Sequence, residues 1–121
     1  MDKIYIERLI RKDKIVLVLH LDPTGNQSKS VLQLAYLNSF YQTGLKNLID
    51  KAVIEHTEEK HQLDTTEFHK VDEIPFDFAR RRMSVVVKDT SNMNLMVCKG
   101  AVEGILSICT HADINGKALW L

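Results

Sequence analysis

Between Asp72 and Leu106 the chain concentrates the side chains with the clearest chemical use. Phe76 and Phe78 stand just ahead of Arg80-Arg81-Arg82, which runs into Met83-Ser84-Val85. After a further turn, Lys99-Gly100-Ala101 closes an apolar stretch and leads into Val102-Glu103-Gly104-Ile105-Leu106. An aromatic ring at an open strand edge can stack on a base, a contact worth about 1 to 3 kcal/mol that tolerates any base. An arginine can donate two parallel hydrogen bonds to phosphate oxygens. Lysine at a strand end supplies a point charge, and glycine beside it lets the backbone pass close to a ligand. Together these suit a nucleotide. Each residue also has a plainer use: the commoner fate of such a phenylalanine is the core, and that of three arginines is solvation.

Other chemistries fare worse. His56, Glu58, Glu59 and His61 are irregularly spaced in a polar run, which suits solvent better than a metal. Asp22-Pro23-Thr24-Gly25 lacks the glycines, lysine and hydroxyl of a phosphate loop. No Ser/His/Asp or Cys/His set has a defensible spacing, so no catalytic residue is assigned. Sixteen basic residues balance sixteen acidic ones. That neutrality removes any general attraction to nucleic acid or an anionic membrane, so binding of nucleic acid through the triple arginine is a minor reading. Two cysteines are too few for a disulfide framework, and we expect Cys98 and Cys109 to be buried thiols in a reducing compartment. No apolar run is long enough to span a bilayer, and the first residues do not read as a secretory signal.

The elements that must position these residues follow from pattern. At 121 residues with 45% hydrophobic content the chain reads as one domain, residues 1–121, with 1–13 an atypical lead-in. Lys14 to Leu21 reads as a strand closed by the Asp22–Gly25 turn. Ser30 with Gln33 suggests a capping box opening a helix toward Tyr41. Thr43-Gly44 breaks it. Leu45, Leu48, Ile49, Ala52 and Val53 then form the apolar stripe of a second helix ending near His56, followed by a solvated connection to Thr66. Ile74, Phe76 and Phe78 should share one face of a strand, with Phe78 in the core and Pro75 confining the strand to a sheet edge. Met83 to Lys88 and Leu95 to Lys99 form a hairpin. A short helix covers Val102 to Cys109, and a last strand Ala118 to Leu121 follows the Asn115-Gly116 turn. The expected class is α/β of the α+β type: a mainly antiparallel sheet, a helical pair and a third short helix.

The ordered set Pro75-Phe76, Arg81-x-Met83-Ser84-Val85 and Lys99-Gly100-Ala101 resembles the nucleotide-binding domain of P-type cation-transporting ATPases. Tyr41-Gln-Thr-Gly-Leu-Lys-Asn47 and Phe76-Asp-Phe-Ala-Arg-Arg-Arg-Met-Ser-Val85 look most like the bacterial magnesium-transporting branch. The resemblance covers roughly Asp13 to Leu121. It implies that Phe76 stacks on adenine, that Arg81 approaches the phosphates, and that Lys99 with Gly100 lines the adenine and ribose pocket. It also implies that Asp50, in Ile49-Asp50-Lys51-Ala52-Val53, stands where relatives carry a glutamate that accepts from the adenine amino group. The cofactor so implied is ATP, with Mg²⁺ entering only as the nucleotide complex, at an affinity on the order of millimolar, or roughly −4 kcal/mol.

The family's phosphorylated motif Asp-Lys-Thr-Gly-Thr is absent. In the register set by Asp13-Lys14 its place falls on Tyr5. The later Gly-Leu-Arg-Val strand and the magnesium-binding Asp pairs are also not found. The expectation is a cytoplasmic ATP-binding module, shortened at its C-terminal end and without its own catalytic centre. It would present ATP to a separate phosphorylation domain of a membrane transporter by hinge closure, without touching the membrane itself. The unfamiliar first dozen residues favour a naturally shortened product over an excised piece. The alternative is a non-catalytic protein-interaction module that kept the fold and lost the nucleotide.

Overall fold

A computed structural model describes residues 3–5, 19–21, 24–60, 67–114 and 116–121. Two short strands, β1 (Lys3–Tyr5) and β2 (Leu19–Leu21), pair antiparallel. The strand expected from Lys14 is seen only in its last residues, the remainder lying outside the described residues. Helix α1 (Lys29–Tyr41) begins two residues earlier than the sequence suggested. Ser28, not Ser30, is its cap: the Ser28 hydroxyl accepts from the Val31 amide at 3.3 Å, satisfying an otherwise unpaired donor.

Helix α2 (Leu48–Lys60) departs more from expectation. Leu45 lies outside it and is 98% exposed. Leu48 and Ile49 are also exposed, while the buried positions are Asp50, Ala52, Val53 and Thr57. The cause is local. The Asn47 side chain accepts from the Asp50 amide at 2.8 Å, and the Asp50 carboxylate accepts from the Asn47 amide at 3.2 Å. This reciprocal box fixes where the helix starts and turns a polar residue inward. The helix also runs past His56 to Lys60, taking in part of the segment read as a connection.

The main sheet has the order β3-β4-β5, all antiparallel: β3 (His69–Asp77), β4 (Arg82–Lys88) and β5 (Asn94–Gly100). Pro75 does sit on an edge strand, where its missing amide hydrogen costs no ladder bond. Around it the pairing shifts register between Ile74 and Asp77. Such a bulge breaks the two-residue alternation, so Ile74 does not share a face with Phe76 and Phe78, whose rings stay in contact. Phe78 falls beyond the strand and is 87% exposed, not in the core. The β4–β5 hairpin turns at Asp89, whose carboxylate accepts from the Ser91 and Met93 amides. Helix α3 (Val102–Ile108) follows, with no buried residue. A second hairpin of β6 (His111–Ile114) and β7 (Lys117–Trp120) turns at Gly116, whose φ of 81° suits a residue without Cβ. Strand β6 had no sequence signal of its own. Cys98 and Cys109 are not joined as a disulfide and are only half-buried, where buried thiols were expected.

Helix α1 forms the middle of the core. One face places Leu32 and Tyr36 against Ala52 and Val53 of α2. The other places Leu37, with Leu34 and Tyr41, against Met83, Val85, Val87 and Val97 of the sheet. Asn38 donates to the Val97 carbonyl at 2.9 Å and so satisfies a main-chain acceptor on β5, the far edge strand. The result is mixed α and antiparallel β, with a helical pair layered on the sheet.

Candidate functional site

Lys99 pairs with Met83, and Met83 faces α1 in the core. Directly paired residues share a face, so the Lys99 side chain leaves the sheet on its helical side. There its ammonium meets the carboxylate of Asp50 in the first turn of α2. Residues 49 positions apart are thereby joined. Asp50 is 2% exposed, and an ion so deep needs every lone pair satisfied. Its Oδ1 accepts from Ser39 Oγ at 2.9 Å and from Lys99; its Oδ2 accepts from Gln42 Nε2 and from the Asn47 amide. Burial pushes the Asp50 carboxyl up, but Lys99 and the hydrogen bonds from Ser39 and Asn47 outweigh it and hold the group below its ordinary value. Asp50 is a buried hub of hydrogen bonds.

Lys99 itself is 37% exposed along its side chain. The loop from Gln42 to Asn47 is thus tied to β5 through Asp50. It is tied to the opposite edge as well. Glu73 on β3 accepts from the Thr43 amide at 3.0 Å and its hydroxyl at 2.8 Å, and pairs with Lys70 at 2.8 Å. The bond from Lys70, then those from Thr43, hold the Glu73 carboxyl down to about 2.

The arginines do not occupy one strand. Arg80 and Arg81 lie in the turn after β3, and only Arg82 opens β4. Asp77 organises the turn. Its carboxylate accepts from the Ala79 amide and pairs with the Arg80 side chain at 2.8 Å, and its carbonyl accepts from the Arg81 amide at 2.6 Å. Arg80 therefore holds the Asp77 carboxyl below its ordinary value. Arg81 has φ of 52°, a left-handed conformation uncommon for a long side chain. What supports it is Gly100. A Cβ on Gly100 would lie 2.5 Å from the Arg81 carbonyl oxygen and 2.8 Å from the Arg82 Cβ. The Ala101 amide also donates to that carbonyl at 3.4 Å. The close approach that Gly100 permits is to the arginine turn.

Phe76 is 53% exposed and belongs to neither core cluster. Its ring meets Phe78 edge-on, centroids 5.2 Å apart. Asp77, Arg82 and Gly100 form one row across the three strands, with Phe76 and Lys99 next to its ends. Phe76 and Lys99 thus stand at the same end of the sheet on opposite edge strands, with two strand spacings, roughly 10 Å, between their backbones. The structure brings Asp50 to Lys99 and Arg81 to Gly100. Sequence reasoning missed Ser39, Gln42 and Glu73. The Asn47-x-x-Asp50 spacing was a readable signal for the hub, since Asn with an acidic residue three positions on marks a helix start.

Among the described residues no three His, Cys, Asp or Glu side chains gather as a metal site. No helix among them is long and apolar enough to cross a membrane.

The family model described as P-type ATPase, cytoplasmic domain N, matches residues 8–121. The chain is 53% identical over 108 residues to the magnesium-transporting ATPase, P-type 1, of Salmonella typhimurium strain LT2. It is 50% identical over 109 residues to the protein of that name from Escherichia coli strain K12. These alignments cover 88% and 89% of this chain but 12% of each relative. Together with the mixed helical and antiparallel fold, they show that the chain belongs to the family of the cytoplasmic N domain of P-type ATPases.

Proposed function

We propose that the chain binds ATP at the end of the sheet bounded by Phe76, Arg81, Lys99 and Gly100. The observation that carries this is the exposed Phe76 ring beside the arginine turn, across β4 from an accessible lysine. A half-exposed aromatic outside both core clusters forgoes burial worth about 1 kcal/mol, which stacking on a base would recover. In this reading Phe76 stacks on the base, and Lys99 lines the base and ribose pocket with Asp50 behind it. The left-handed Arg81 turn, seated on Gly100, reaches toward the phosphates. Mg²⁺ arrives with the phosphates. The relatives' names point to a magnesium transporter as the parent, and the chain would then present ATP to that protein's phosphorylation domain at the inner membrane.

The test is ATP titration of the 121-residue chain followed by amide NMR shifts. Shifts should cluster around Phe76 and Lys99. Phe76→Ala should weaken binding by about 1 to 3 kcal/mol while leaving the fold intact, because the ring is not core. Unchanged affinity in that variant would exclude the site. A second reading, a protein-interaction module, draws on exposed Leu119, Trp120 and Leu121 at the chain's last strand. It would be favoured by the absence of any ATP response at several millimolar.

A further inference from the structure

We infer that Asp50 is a positioning residue for Lys99 and that the site does not read the amino group of adenine. The inference rests on the nucleotide-binding reading above and deepens it to base specificity. An ionised carboxylate has about four acceptor sites. In Asp50 all four are used, by Ser39, Lys99, Gln42 and the Asn47 amide. The carboxylate is almost wholly buried, so an incoming amino group would have to evict one of these donors. Eviction of Ser39 strands a hydroxyl that is itself buried. Eviction of the Asn47 amide opens the box that starts α2, and eviction of Lys99 parts a buried ion from its counter-charge.

The group left to face a base is the Lys99 ammonium. It has three donors, and contact with Asp50 uses one. A donor set on a purine ring nitrogen away from C6 makes the same bond whether C6 carries an amine, a hydrogen or an oxo group. The ligand class is therefore a purine nucleoside triphosphate, ATP being one member. Asp50 acts through Lys99 by holding its ammonium at the helical side of the sheet.

The experiment compares ATP with purine riboside 5′-triphosphate, which lacks only the amino group, and with inosine 5′-triphosphate, each titrated into the unaltered chain. Both should bind within roughly threefold of ATP, less than the loss of one hydrogen bond to a charged acceptor would produce. Losses of about tenfold or more for both analogues would overturn the inference and leave the nucleotide site standing. Failure of all three to bind at about 10 mM would instead remove the nucleotide reading, and this inference with it. Asp50→Asn gives an independent readout, since asparagine can still accept from the Asn47 amide but cannot hold the ammonium by charge. It should weaken ATP and purine riboside triphosphate by the same factor. A variant that loses affinity for ATP alone would show that Asp50 does read the amine.

Discussion

Replacing Gly100 with alanine tests the link between the two halves of the site. The added Cβ would meet the Arg81 carbonyl oxygen at 2.5 Å, about 0.9 Å inside ordinary van der Waals contact, and the Arg82 Cβ at 2.8 Å. Neither obstacle is the far end of a flexible side chain. The end of β5 and the arginine turn must therefore separate. Overpacking of this kind costs about 1 to 3 kcal/mol, and the long Ala101 to Arg81 hydrogen bond, near 1 kcal/mol, should be lost with it. For a domain of this size about 2 to 4 kcal/mol lowers Tm by roughly 8 to 16 °C. Thermal unfolding followed by circular dichroism reads this directly. Gly44→Ala is the control, because a Cβ there meets nothing within 4 Å. A Gly100→Ala variant melting within about 2 °C of the parent would refute the claim that Gly100 supports the Arg81 turn. It would return that glycine to direct contact with ligand.

Two further outcomes follow from the clamps on the α1–α2 connection. Glu73 titrates near 2 in the folded chain against 4.5 ordinarily, so its bonds to Lys70 and Thr43 stabilise fully above about pH 4.5 and are lost as pH falls toward 2. Discounted for solvent at this surface group, the loss should be about 1 to 2 kcal/mol, and in acid titration monitored by denaturant midpoint Glu73→Gln should remove that part of the slope. Asn47→Ala removes the side-chain acceptor that caps α2 at the Asp50 amide and leaves the main-chain donor to the Asp50 carboxylate in place; it should cost about 1 kcal/mol in urea unfolding, and an unchanged midpoint would mean that α2 starts without it.

Much of the architecture was legible because local pattern and tertiary environment agreed. In Met83 to Lys88 alternating apolar residues met the core, and Asp89 to Asn94 carried turn chemistry that closed a hairpin. Where they disagreed, polar residues decided. Leu45 has the spacing to join the stripe of α2, yet Asn47 caps the helix after it, and a hydropathy stripe cannot score Asp50 or Thr57 as inward. Phe78 looked like a core residue because alternation was assumed to run through Pro75, where the register shifts instead. The candidate site residues stand out by type and order along the chain. Their partners do not: Asp50 and Lys99 gain their meaning from each other, and nothing within a few residues of either foretells that contact.

The connection between α1 and α2 is fastened at Glu73 on one edge strand and at Lys99 on the other. A layer held at one point can pivot, whereas one held on both sides of a sheet resists both sliding and torsion. The helical layer and the sheet should therefore travel as a rigid lever arm. If the chain carries a nucleotide to a neighbouring domain as proposed above, a swing would leave this layer undeformed, and the ligand would arrive in the orientation in which it was loaded.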